Sequence, residues 1–137
     1  MKTNIQDIAA IIATTIWADG EYDEAEKVVV EEIADAFELN ADEFASAVDS
    51  AVAAVEPMNE EEVNAYILEH SGEIDDEEAE YVLQAVLQVI VVDGVIGQEE
   101  VENFLSIATA LGIDDARAVL MLADIVKDEP ELEISYK

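Results

Sequence analysis

Asp19-Gly20-Glu21-Tyr22-Asp23-Glu24-Ala25-Glu26 returns 74 positions later as Asp93-Gly94-Val95-Ile96-Gly97-Gln98-Glu99-Glu100. Each copy reads Asp-Gly, one residue, a large apolar residue, three residues, then Glu. An apolar run precedes each copy, and a second amphipathic run follows it. The stretch is therefore a repeated turn between helices, a repeated carboxylate site, or both.

Working outward, Ile5, Ile8, Ile12 and Ile16 recur at helical spacing and predict a helix from Thr3 or Asn4 to about Ala18. Gly20 suits the left-handed residue that closes a helix. Asp23 with Glu26 reads as the cap of a second helix, whose buried stripe is Val29, Val30, Ile33, Ala34 and Phe37. Asn40 with Glu43 opens a third helix, which Pro57 ends. Asn59 with Glu62 opens a linking helix that stops at Ser71-Gly72. Asp75 with Glu78 opens a fifth helix to Val92, apolar on nearly all sides and expected to be central. A sixth follows Gly97 and stops at Gly112, and a seventh runs from Asp114 or Asp115 to about Lys127. Pro130 blocks further helix, so residues 128–137 are expected to form a frayed terminus, with a docked extended strap as the alternative.

Aligning Ile16–Leu39 with Ile90–Ile113 gives seven identities in 24 positions. Core character is kept as well: Tyr22 matches Ile96, Val30 matches Phe104, Phe37 matches Leu111 and Leu39 matches Ile113. The expected architecture is a single all-α domain over residues 1–127, of about seven helices. Two pseudo-symmetric three-helix units, about 5–55 and 76–127, are joined by the linking helix.

Composition narrows the function. The chain of 137 residues is 52% hydrophobic, enough for a packed core, yet carries 35 acidic residues against five basic ones for a net charge of −30. Sustained contact with nucleic acid or an anionic membrane is excluded, because both need clustered Lys and Arg. The field attracts cations and basic protein surfaces, and also suits plain solubility or a high-salt habitat. There are no cysteines and one histidine, which removes thiolate chemistry and imidazole-rich metal sites. Met1-Lys2 before the apolar run Ile8 to Ala18 raises a secretion signal. The equivalent internal run Val82 to Val92 cannot be one, and both end in Asp-Gly, so both read as core helices of a cytoplasmic protein.

The repeated motif matches the second half of an EF-hand loop, with Asp19, Gly20, the Glu21 carbonyl, Asp23 and Glu26 as successive loop positions. The second copy offers Asp93, the Val95 carbonyl and Glu100, with Gly97 where the first has Asp23. The first half of the loop fails, since its positions fall on Thr15 and Trp17, and on Val89 and Val91, inside helices. A true EF-hand is ruled out. Turns and caps explain the glycines and glutamates. They do not explain Asp19 and Asp93, which sit where the negative end of a helix dipole disfavours a carboxylate by roughly 0.3–1 kcal/mol. The candidate metal ligands are Asp19, Asp23, Glu26, Asp93 and Glu100, an all-oxygen set suited to Ca²⁺, Mg²⁺ or Mn²⁺.

Trp17-Ala18-Asp19-Gly20 with Tyr22 and Glu26, then Val92-Asp93-Gly94 with Ile96 and Glu100, resemble the tellurite-resistance TerB family over about residues 5–127. That domain also occurs in membrane-anchored DnaJ-like co-chaperones. The resemblance implies an all-α fold of roughly seven helices and an acidic divalent-cation site at Asp19, Glu26, Asp93 and Glu100. It also implies a role in stress and tellurite resistance through metal and protein partners, not as an enzyme. Gly97 in place of an acid, and the low Lys content, are departures from the family pattern.

Three function classes follow. The first is a metal-binding interaction module. The second is a metal-independent acidic adaptor for a basic protein partner. The third, a metal-assisted hydrolase, lacks a general base. His70 is expected to sit at the surface, favouring the C-terminus of its helix. Trp17, Phe37, Phe44 and Phe104 fall on apolar stripes and read as core. The seventh helix is more apolar than one buried face requires, which suits deep burial or a homodimer surface.

Overall fold

The structure is a computed structural model that describes residues 5–19, 24–92, 95–128 and 133–134, with backbone only at Asp19, Val95, Ile96, Asp128, Glu133 and Ile134. Among these are seven helices: α1 (Ile5–Asp19), α2 (Glu24–Ala36), α3 (Ala41–Val55), α4 (Glu60–Ser71), α5 (Asp76–Val91), α6 (Gln98–Ala110) and α7 (Asp115–Asp128). The fold is all-α. Two short segments, β1 (Val95–Ile96) and β2 (Glu133–Ile134), pair in parallel, so part of the C-terminal tail lies along the chain that follows the second Asp-Gly. The strap, not the frayed end, describes these two residues.

The capping residues act largely as their chemistry dictates. Asn40 accepts a hydrogen bond from the Glu43 amide at 3.0 Å. Asn59 and Glu62 form a reciprocal capping box at 2.8 and 3.1 Å. Asp75 stands at the N-cap of α5 without a side-chain capping bond. Gly20, Asp23, Asp93 and Gly94 lie outside the described residues.

α1 is the hub. Every residue from Asp7 to Ile16 is buried, and the helix packs on α3, α4, α5 and α6. A helix apolar on all sides has nowhere to go but the interior. α5, expected to be central, buries Val82, Leu83, Val86, Leu87, Val89 and Ile90 but keeps Glu80, Tyr81, Gln84 and Gln88 in solvent. The difference lies in the polar residues. Those of α5 are long and recur one turn apart, which forms a solvated stripe. Those within the α1 run are Thr14 and Thr15, whose small hydroxyls find partners in the core.

α7 packs on the outside. Ala118 and Met121 turn inward, while Val119 and Leu120 are 52% and 57% exposed. Deep burial of α7 is not observed, because its apolar residues outnumber those its single inner face can hold.

α2 and α6 end in the same way. The Leu39 amide donates to the Ala34 carbonyl at 2.8 Å and the Glu38 amide to Asp35 at 3.1 Å. The Ile113 amide donates to Ala108 at 2.8 Å and the Gly112 amide to Thr109 at 3.0 Å. Both are Schellman closures, which need a left-handed residue. Gly112 supplies φ +79° without strain, whereas Glu38 takes φ +57° with a side chain attached. For an L-residue this conformation costs roughly 1–2 kcal/mol.

Candidate metal centre

Of the five candidate ligands, Glu26 and Glu100 have described side chains. Each is the third residue of its helix, Glu26 in α2 and Glu100 in α6. They are 2% and 6% exposed, which is exceptional for glutamate in so acidic a chain. Glu100 Oε1 accepts the Gly97 amide at 3.0 Å, so one oxygen closes the first turn of α6. A Cβ added at Gly97 would stand 3.4 Å from that oxygen, a tight approach that leaves little slack for a larger residue. The capping role read from the sequence is therefore present in the second copy. Burying a carboxylate at a helix N-terminus is favoured by the dipole, but its desolvation still needs compensation. The Asp19 side chain, Asp23 and Asp93 lie outside the described residues. Among the described residues, no group of three or more His, Cys, Asp or Glu is placed to hold a metal ion.

The surroundings of these helix ends are described in detail. Trp17, near the C-terminal end of α1, and Glu99, in the first turn of α6, line one cleft of about 340 Å³ together with Glu60 of α4 and Glu102 of α6. The chain entering the first Asp-Gly and the chain leaving the second thus meet at one side of the molecule. Trp17 is half-buried at this edge and packs on Ala13, Ala51 and Val55. It is not fully in the core as expected, because an indole at the last turn of α1 spans interior and cleft.

Under the cleft, α6 is fastened to α1 by polar side chains. Thr15 Oγ1 donates to Asn103 Oδ1 at 3.0 Å, and Asn103 Nδ2 donates to Thr14 Oγ1 at 3.4 Å. Thr14 Oγ1 in turn donates to the Ile11 carbonyl at 2.8 Å. All three residues are buried. Sequence reasoning passed over this group; its signal was a pair of hydroxyls inside an apolar run and one amide on the inner face of α6.

A second link was also missed. His70 Nδ1 lies 2.7 Å from Asp7 Oδ1, joining the last turn of α4 to the first turn of α1. His70 is therefore not a free surface cap: it answers a carboxylate buried at the edge of the α1 run. Tyr66 packs edge-on against its ring, with centroids 4.5 Å apart. Burial pushes the Tyr66 hydroxyl above its usual pKa of 10.0, and Glu69 and Asp7 push it further in the same direction. The unfolded chain therefore releases this proton first. The stabilising contribution is complete below about pH 10 and is lost as pH rises through the higher folded value. In an absorbance titration of the tyrosines, Tyr66→Phe should remove a phenol that ionises above the usual pKa of 10.0.

The fold has counterparts. The tellurite resistance protein TerB family matches residues 6–123. The crystal structure of a protein of unknown function from Porphyromonas gingivalis W83 is similar in fold, with a TM-score of 0.56 at 22% identity, covering 93% of this chain and 92% of that one. No curated protein matches the chain. No helix among the described residues is long and apolar enough to cross a membrane. With its repeated Asp-Gly motifs, its seven helices and a family match over most of its length, the chain belongs to the tellurite resistance protein TerB family.

Proposed function

We propose that this domain binds a divalent cation through its two Asp-Gly motifs and uses the bound ion to set a protein-interacting form of the helical domain, in a tellurite- or stress-resistance setting. The observation that carries the reading is the burial of Glu26 and Glu100 at the same helical position after each motif. Asp19, Asp23 and Asp93 complete the ligand set. The donors are all oxygen, which favours Ca²⁺, Mg²⁺ or Mn²⁺. When bound, the ion would supply positive charge to balance the carboxylates of the two motifs. It acts in binding and not in catalysis.

Thermal melting with each ion at fixed ionic strength tests this. At 100 times its dissociation constant, the ion should add about 2.7 kcal/mol of stability to the wild type. Asp19→Asn/Asp93→Asn should abolish most of that gain. Glu31→Gln/Glu32→Gln, exposed on α2 away from the motif, should preserve it. Equal losses in both variants would mean that the ions only relieve net charge, and the site would be abandoned.

The net charge of −30 favours a second reading, an acidic adaptor that binds a basic protein surface without metal. Its complexes should weaken steeply with salt and survive chelation.

A further inference from the structure

We propose that the groove between α2 and α5 is a docking site for a basic amphipathic helix of a protein partner. The inference rests on the interaction reading above and is independent of the metal. The groove holds about 320 Å³, floored by Ile33, Phe37 and Ala85 and walled by Tyr81, with Glu38 and Glu78 on its rim. Tyr81 is 65% exposed, the most exposed of the large hydrophobic side chains among the described residues. An open tyrosine beside an apolar floor is the usual anchor of a protein interface. The width between two helices suits the i, i+3/i+4, i+7 stripe of a third.

Charge selects the occupant. Glu38, just past the end of α2, lines the groove and is exposed, and Glu78, in the first turn of α5, lines it half-buried. Against a chain of −30, lysines or arginines flanking the apolar stripe are attracted, and a second copy of this chain is repelled.

Glu38 adds a separate argument. It occupies φ +57° in a closure whose counterpart at the end of α6 uses Gly112. This chain thus holds a charged side chain on the groove rim where the backbone favours glycine. Strain of that kind is characteristic of positions that serve binding. The rim charge and the stability of α2 are set against each other, and one substitution separates them.

The probe is a synthetic amphipathic peptide with leucines along one face and lysines on both flanks, compared with a scrambled peptide of identical composition. Calorimetry and amide chemical-shift mapping on the intact chain should show tighter binding of the amphipathic peptide, with shifts centred on α2 and α5. Tyr81→Ala should weaken it by about tenfold. Glu38→Gln and Glu38→Gly should both weaken it, while Glu38→Gly also raises Tm by roughly 3–6 °C. Glu61→Gln, which removes the same charge from the exposed side of α4, should leave affinity within about twofold. If the scrambled peptide binds equally and Glu61→Gln matches Glu38→Gln, the groove is overturned and a general acidic adaptor survives. Failure of both peptides to bind overturns groove and adaptor together. Self-association that Tyr81→Ala abolishes in sedimentation would assign the groove to a second copy and likewise overturn the proposal.

Discussion

Replacing Phe104 with alanine should lower unfolding stability by about 3–5 kcal/mol, among the largest single losses expected in this chain. Phe104 is fully buried on α6, one turn beyond Glu100, and belongs to the core that α1 and α5 share. The cost has two parts, the transfer of a ring from water and the cavity its absence leaves. Helices held on several sides cannot collapse into such a cavity. Phe104→Leu keeps much of the volume and should cost under about 1.5 kcal/mol. Urea denaturation of the three proteins measures both differences. A loss below about 1 kcal/mol in Phe104→Ala would mean that α6 does not pack on α1 as described. A chain folding with such a cavity should also respond more weakly to divalent cations, because Glu100 rides on the same helix.

Asn103→Leu should also be strongly damaging. It removes the acceptor of the Thr15 hydroxyl and the donor to Thr14, both inside the core. Each buried polar group left without its partner costs about 1–3 kcal/mol. Thr14 keeps its 2.8 Å bond to the Ile11 carbonyl, whereas Thr15 retains only a long 3.5 Å approach to that carbonyl, so Thr15 bears most of the loss. Adding Thr15→Val to Asn103→Leu should therefore recover part of it, with a coupling of roughly 0.5–3 kcal/mol in the double-mutant cycle. Strictly additive losses would show that the Asn103–Thr15 contact contributes nothing to stability. The same pair also fixes α6 against α1 beneath the cleft that Trp17 and Glu99 share, so the cycle repeated with Mn²⁺ or Ca²⁺ present links core packing to the metal response.

Element type and most boundaries were legible because they follow from local rules. Asn40 and Asn59 cap where an amide side chain facing an open helix end must, and the apolar stripe of α2 reads directly from its spacing. α5 is central as expected, packing on α1, α2, α6 and α7, but α1 is the better buried, for a reason equally physical. Apolar count alone favoured α5, but Tyr81, Gln84 and Gln88 give α5 a solvent stripe that the shorter hydroxyls of α1 do not create. Contacts between helices distant in sequence were invisible. Nothing near Asp7 announces His70, and nothing near Thr15 announces Asn103, since side-chain pairing across helices depends on rotations that no single helix specifies. Glu38 is exposed just past the end of α2. Its left-handed backbone was concealed because a sequence suggests that conformation where glycine stands, as at Gly112, and here glutamate does. The candidate ligands were legible as a pattern. Burial of Glu26 and Glu100 became known only from the folded chain.

The central position of α1 has a consequence for synthesis. Asn103, the partner of Thr15, lies 88 residues downstream. At about 5–20 residues per second, a ribosome makes it roughly 4–18 s after Thr15. Throughout that interval α1 lacks the complete α6, and for most of it α5 as well, although it will finish as the best-buried helix among the described residues. The segments made in between, α2, α3, α4 and α5, bring many exposed carboxylates and little positive charge. Neighbouring nascent chains on one polysome therefore repel each other while their first helix waits for its last cover.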